Sequence, residues 1–157
     1  MRRLKQFLER YDAIERRRGQ PFFLGNLASH WKPGRVKESK YYISEEQYEE
    51  PNYPNFVTGP NYLLSRSAVD LLLEAAWNQP YVPLEDVFFT GILPERLNRQ
   101  GTAVRKRMVA ELKNNGDRIS VQFIGCTLLR SISIHKVFAE EQEELLKASR
   151  DPQCGPL

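Results

Sequence analysis

The stretch PYVPLEDVFFTGI, residues 80–92, sets Glu85 and Asp86 side by side among two prolines and the apolar Val87, Phe88, Phe89 and Ile92. Carboxylates in such company have two readings. At the start of a helix both complement the positive end of the helix dipole, and nothing more is asked of them. In the chemical reading one of them is a general base, because a helix N-terminus favours the ionised carboxylate that a base must be. Consecutive helical positions point roughly 100° apart, so the two cannot serve one site symmetrically. The chemical reading also expects the acids to be buried, because a site needs one of them there.

Other chemistry-bearing residues are sparse. His135 lies in the alternating pattern SISIHKV, where a lone histidine reads first as a satisfied structural residue. His30, beside Trp31 in a loop, is a weaker candidate. No HExxH, CxxC pair, GxSxG, Walker loop or GxGxxG occurs. The five aspartates, Asp12, Asp70, Asp86, Asp117 and Asp151, make no Asp-x-Asp. Cys126 and Cys154 fit no metal spacing and leave open one disulfide or two free thiols.

The elements that must carry these residues are read from periodicity. Residues 3–17 predict a helix, with Leu4, Phe7, Leu8, Tyr11 and Ile14 on one face. PFFLGNL, 21–27, predicts a short buried strand, and ASHWKPGRVKES a loop with a Pro-Gly turn. KYYIS, 40–44, has strand composition. FVTGPNYLLS, 56–65, is strand-like but broken by Gly59 and Pro60, and glycine there allows positive φ or a close backbone approach. Ser67 with Asp70 marks a helix start before AVDLLLEAAW. LEDVFFTGILPERLN predicts a second helix with Leu84, Val87, Phe88 and Gly91 on one side. GTAVRKRMVAELKNNGDR reads as polar and turn-rich. RISVQFIGCTLLRSISIHKV is β-rich. AEEQEELLKAS predicts a helix with acids in its first turn, and 151–157 a frayed tail. The mixture predicts an α/β layer with few strands, part of a larger sheet, over one unit at 1–150.

Composition bounds the function. The chain of 157 residues is 41% hydrophobic and 27% charged, which fits one ordinary globular domain with a real core. Net charge is 23 − 20 = +3, too small to imply a nucleic-acid partner. The basic residues cluster in 1–18 and in RKR at 105–107, and the acids Glu45, Glu46, Glu49 and Glu50 lie between; such runs read first as solvated faces. No apolar run approaches the roughly 18 residues of a membrane span. The first 20 residues are too polar for a signal peptide.

Several pieces stand in a familiar order. KYYISEEQYEEPNYPNFVTGPNYLLSRSAVDLL followed by PLEDVFFTGIL resembles the β-1,3-galactosyltransferase family, glycosyltransferase family 31, whose members include β-1,3-N-acetylglucosaminyltransferases. Lys40, Tyr42, Ser44, Tyr53, Pro54, Thr58, Gly59, Tyr62, Ser65, Leu84, Glu85, Asp86 and Val87 carry the likeness. Gly25, Pro33 and Arg35 match upstream, and SIHKVFAEEQEELL matches the family's closing strand and last helix. The ordered constellation is specific where no single motif is. There are departures. The family's nucleotide-binding half, its Asp-x-Asp and its signal anchor are absent from these residues. The usually Gly-rich turn reads TGPN, and cysteines that some relatives carry near Val57 and Ile92 are missing.

The resemblance implies the C-terminal part of a GT-A fold, an incomplete mixed α/β sheet flanked by helices. It implies an inverting hexosyltransferase on the lumenal side of the Golgi membrane, held there by an anchor outside this chain, with a UDP-sugar donor and a glycan acceptor. It assigns Asp86 as the base, with Glu85 in support. Gly59, Asn61 and Tyr62 would line the sugar pocket. Manganese is the expected divalent metal, and His135 becomes a candidate ligand for it. Two rival readings stand beside this one: a truncated, inactive relative, and a small acidic-to-basic interaction module unrelated to sugars.

Overall fold

The computed structural model describes residues 2–15, 20–77, 79–108 and 138–148. In chain order these form helix α1 (Arg2–Glu15), strands β1 (Phe22–Ala28) and β2 (Phe56–Leu64) and helix α2 (Arg66–Ala76). A continuous helical run follows. It consists of α3 (Glu85–Val87), a π-helical segment (Phe88–Ile92) and α4 (Leu93–Arg99). Strand β3 (Arg105–Met108) and helix α5 (Ala139–Ala148) complete the described elements. The strand order is β2-β1-β3, with β1 antiparallel to β2 and parallel to β3. This is the expected mixed sheet flanked by helices.

Strand alternation sorts β1 between two layers. Phe23 joins the main core with Phe56, Val57, Leu72, Val87, Phe88 and Leu93. Leu24, pointing the other way, packs with Phe7 of α1, and Phe22 and Leu63 lie against them. Thus α1 covers one face of the sheet, and α2 with the helical run over 85–99 covers the other. Along α1 the predicted apolar stripe is only partly used: Phe7 is buried, whereas Leu8 is exposed. On α2, Val69 and Leu73 and the capping residue Trp77, spaced by four, form an exposed stripe beside the buried Ala68 and Leu72.

Three expectations need correction. KYYIS is not a strand. Its backbone groups are taken locally: Tyr42 N–H donates to Ser39 O at 3.0 Å, Ile43 N–H to Gly34 O at 2.9 Å, and Arg35 Nη1 to Ile43 O at 2.7 Å. Only an isolated bridge, Gly34 to Tyr42, remains. Ser44 instead opens a turn through reciprocal bonds with Gln47, whose Oε1 accepts from Ser44 N–H at 3.0 Å while Ser44 Oγ accepts from Gln47 N–H at 3.1 Å. The second correction is the start of α2. Ser65, not Ser67, is the N-cap, its Oγ accepting from Ala68 N–H at 3.2 Å. The same Oγ accepts from Phe22 N–H at 3.1 Å, so one hydroxyl ends β2, starts α2 and anchors β1.

The third correction is β3. RKRM lies in a segment that reads as turn-rich, yet it pairs with Phe22, Phe23, Leu24 and Gly25. Ladder hydrogen bonds override weak propensity in a short, charged strand, which suits the edge of the sheet that the described residues form. Lys106 is therefore not a solvated charge. It is half-buried, and its Nζ donates to Asn55 O and, at 3.5 Å, to Gly91 O. Burial pulls its ammonium down from the ordinary 10.5 to about 8, against the smaller opposing pull of Glu95. The unfolded chain thus binds more protons than the folded one between about 8 and 10.5, and stability rises with pH across that window. Melting temperature should climb by a few degrees between pH 7.5 and 9.5, and Lys106→Met should abolish the climb. Equal pH profiles for both proteins would refute this. Tyr48 and Tyr53, raised chiefly by burial above 10, oppose the climb only towards the top of that window.

The predicted β-rich segment 118–137, both cysteines and the tail 151–157 lie outside the described residues. Helix α5 matches expectation, with Glu141 Oε2 accepting from Phe138 N–H at 3.0 Å at its start. Among the described residues no helix is long and apolar enough to cross a membrane.

Candidate active site

The site grows out of a break in the β1–β2 ladder. Pairing runs Phe23 to Leu64, Leu24 to Leu63 and Gly25 to Tyr62, then resumes at Leu27 to Val57 and Ala28 to Phe56. Between the two registers β1 supplies only Asn26 while β2 supplies residues 58–61, the sequence TGPN. These four residues cannot all pair, so they bulge out of the sheet. Asn26 Nδ2 donates to Thr58 Oγ1 at 3.3 Å across the base of the bulge.

The start of the helical run meets this bulge. Leu84, the N-cap of α3, has no side chain able to cap. Asp86 does that work from inside the first turn, its Oδ1 accepting from Val87 N–H at 2.9 Å. Its other oxygen, Oδ2, accepts from Gly59 N–H at 2.8 Å. A Cβ at position 59 would lie 3.1 Å from that oxygen, so glycine lets the main chain come close. Close approach, not positive φ, is the reason for the glycine: among described glycines only Gly101 has positive φ.

Glu85 is held differently. It accepts from the Tyr62 hydroxyl through Oε1. The residue as a whole is exposed, yet its carboxyl tip is partly desolvated, and this burial, with the Asp86 carboxylate beside it, holds it above the usual carboxylate range. The two acids thus engage different parts of β2, as their divergent directions on a helix require. Neither is fully buried: Asp86 is half-buried and Glu85 exposed. The expectation of buried acids is corrected. They stand at the rim, and the apolar residues after them, Val87 and Phe88, are what the core takes.

The structure therefore brings Asp86 to Gly59 and Glu85 to Tyr62. Asn61 shares the bulge, with its Oδ1 enclosed and lacking a hydrogen-bond partner among the described residues. His135 lies outside the described residues. His30 is exposed, with φ of 60°, beyond the end of β1. No group of three His, Cys, Asp or Glu among the described residues could hold a metal ion. Two carboxylates turned to different partners do not make a divalent-cation site by themselves, so no step below runs through a metal.

Sequence reasoning missed Thr90. This residue is 0% exposed and sits between the helical run and β2. Its Oγ1 accepts from Val57 N–H at 2.7 Å and lies 2.6 Å from Asp86 O and 3.0 Å from Val57 O. The signal was a lone polar residue in DVFFTGI, four positions after Asp86.

Comparison with known proteins gives the family. The family model described as Galactosyltransferase matches residues 1–105, which include the bulge and both acids. Human beta-1,3-galactosyltransferase 5 is 34% identical over 147 residues, covering 92% of this chain and 45% of the relative. Beta-1,3-galactosyltransferase 4 of Mus musculus is 41% identical over 92 residues, covering 54% of this chain and 24% of the relative. The same-named protein of Rattus norvegicus is 44% identical over 70 residues, covering 42% and 18%. The matched part spans less than half the length of each of these relatives. A family match over two-thirds of the sequence, on the residues that build the site, settles the kinship: the chain belongs to the β-1,3-galactosyltransferase family.

Proposed function

We propose that this chain carries the acceptor-activating side of an inverting hexosyltransferase. In the reaction an acceptor-glycan hydroxyl attacks the anomeric carbon of a UDP-hexose from the face opposite the diphosphate. Asp86 takes the hydroxyl proton as the new C–O bond forms. The bond from the anomeric carbon to the diphosphate oxygen breaks, and UDP leaves with the electron pair. The observation that carries this reading is the fixed Asp86 carboxylate at the rim of the TGPN bulge. A carboxylate has about four lone-pair positions, and two N–H bonds leave room for an acceptor hydroxyl. The exposed bulge backbone and the Tyr62 ring would meet the sugar, and Glu85 would support Tyr62. A Golgi lumen is the proposed setting. Manganese belongs to the proposal only through ligands outside the described residues.

The same proposal includes a division of labour. These 157 residues hold no Asp-x-Asp, and the proposal assigns the donor nucleotide to a family nucleotide-binding half joined to them. Transfer from radiolabelled UDP-galactose and UDP-N-acetylglucosamine to a panel of β-linked glycan acceptors tests both parts. The 157 residues alone should give no transfer, with or without manganese, and the chain joined to a family nucleotide-binding half should give it. Turnover by the isolated chain would overturn the division. Failure of the joined, folded protein with every UDP-hexose would overturn the hexosyltransferase reading in favour of an inactive relative.

A further inference from the structure

Asp86 is held at both ends, and only one hold comes from the bulge. Its side chain is fixed by Gly59 N–H. Its own carbonyl lies 2.6 Å from Thr90 Oγ1. The N–H and C=O of one strand residue point the same way, so Val57 turns both of its groups towards Thr90, and Gly59, two residues on, turns its N–H to Asp86. Val57, Thr90, Asp86 and Gly59 thus close a ring of contacts along the outer edge of β2.

We infer that Thr90 is a positioning residue for Asp86, setting the reach of its carboxylate beside the bulge; this rests on Asp86 being the proposed base. A hydroxyl has one proton, so Thr90 donates to one carbonyl at a time, and the shorter contact is to Asp86 O. It still accepts from Val57 N–H. A Thr bonded only to the carbonyl four residues back would be an ordinary helical hydroxyl. The bond from Val57 N–H ties the helix start to the strand from which the bulge springs. Packing alone does not ask for a hydroxyl here, since the neighbouring core positions, Val87, Phe88 and Ile92, are apolar. Moreover, the π-helical segment begins two residues after Asp86, with Leu93 N–H bonding Phe88 O five residues back. Such wide turns occur often at functional sites.

The test uses Thr90→Val, which keeps shape and removes the hydroxyl, and Thr90→Ser, which keeps the hydroxyl. In the sugar-transferring protein, Thr90→Val should lower kcat about 10–100-fold with both KM values within about twofold, and Thr90→Ser should stay within about threefold. In an Asp86→Asn background the kcat effect of Thr90→Val should vanish, because there is no base left to position. Equal fold-losses in both backgrounds, or a Thr90→Val kcat matching wild type, would overturn the inference. A second readout is independent of activity. In the 157-residue chain, amide exchange at Gly59 should be at least about tenfold faster in Thr90→Val than in Thr90→Ser. Unchanged exchange refutes the positioning role whether or not sugar is transferred. Faster exchange without any transfer by wild type leaves the positioning intact and refutes the hexosyltransferase reading. If Thr90→Val does not fold, Thr90→Cys, a weak donor of similar size, should show intermediate values. Wild-type kcat and Gly59 protection in Thr90→Cys would refute the inference equally.

Discussion

Asp86→Asn is expected to lower kcat of the sugar-transferring protein by about 10²–10⁴-fold, the usual contribution of a general base. The amide matches the carboxyl in size. Its oxygen can still accept from Gly59 N–H, the bond that orients the side chain at 2.8 Å. What it cannot do is take a proton from the acceptor hydroxyl. Donor KM should therefore stay nearly constant, because the base touches the acceptor and not the nucleotide. Glu85→Gln should cost far less. Glu85 is the exposed member of the pair, and it accepts from Tyr62 through an oxygen that glutamine also provides. The two substitutions also differ in a side effect. Losing the Asp86 charge removes one cause of the raised Glu85 pKa, so Glu85 should titrate lower in Asp86→Asn. Should Glu85→Gln, still folded, prove as damaging as Asp86→Asn, the base has been assigned to the wrong acid.

The largest effect on stability is expected at Gly25. A Cβ there would lie 2.3 Å from Val57 Cγ1, 3.1 Å from Tyr62 Cβ and 3.3 Å from Asn61 O. None of these neighbours yields easily. Val57 is fully buried and donates its N–H to Thr90 Oγ1. Tyr62 pairs directly with Gly25. Replacing a strand glycine with alanine gains about 0.5–1 kcal/mol of backbone entropy where space is free. Overpacking of a fixed site costs about 1–3 kcal/mol, and the clash should win. Gly25→Ala should lower the melting temperature by about 5 °C. It should also lower kcat, because relief of the clash pushes the bulge away from Asp86. A melting temperature within about 1 °C of wild type would show that the bulge yields without strain.

The sequence made much of this fold legible, and for identifiable reasons. Helices α1, α2 and the run over 85–99 announce themselves because one face of each is apolar at helical spacing. Strand β1 is legible because FFL is a short apolar run beside a glycine. KYYIS misleads because aromatic and β-branched residues suit a strand, while the decisive signal was the Ser44–Gln47 capping pair just beyond them. Strand β3 was hidden, since a charged edge strand is defined by the strand it pairs with and not by its own residues. The site shows the same division. Glu85 and Asp86 could be named from type and place, and Gly59 and Tyr62 from the family resemblance. Their meeting could not, because it depends on four residues of β2 opposing one of β1, which is a property of register. Thr90 went unseen because a hydroxyl inside an apolar run looks like noise until its partners are known.

That register break has a consequence for how such a protein can diversify. Pairing is in step on both sides of residues 58–61, so changes within the bulge need not propagate into the sheet. The bulge grips Asp86 through a main-chain N–H, which any residue except proline supplies, and only position 59 is constrained by the 3.1 Å clearance to the carboxylate. Pro60 and Asn61 are under no such constraint. A lineage, or an engineer, can rewrite the part of the rim proposed to meet the sugar while the proposed proton acceptor stays where it is. On the proposed roles, recognition and chemistry are built on neighbouring residues yet are free to evolve apart.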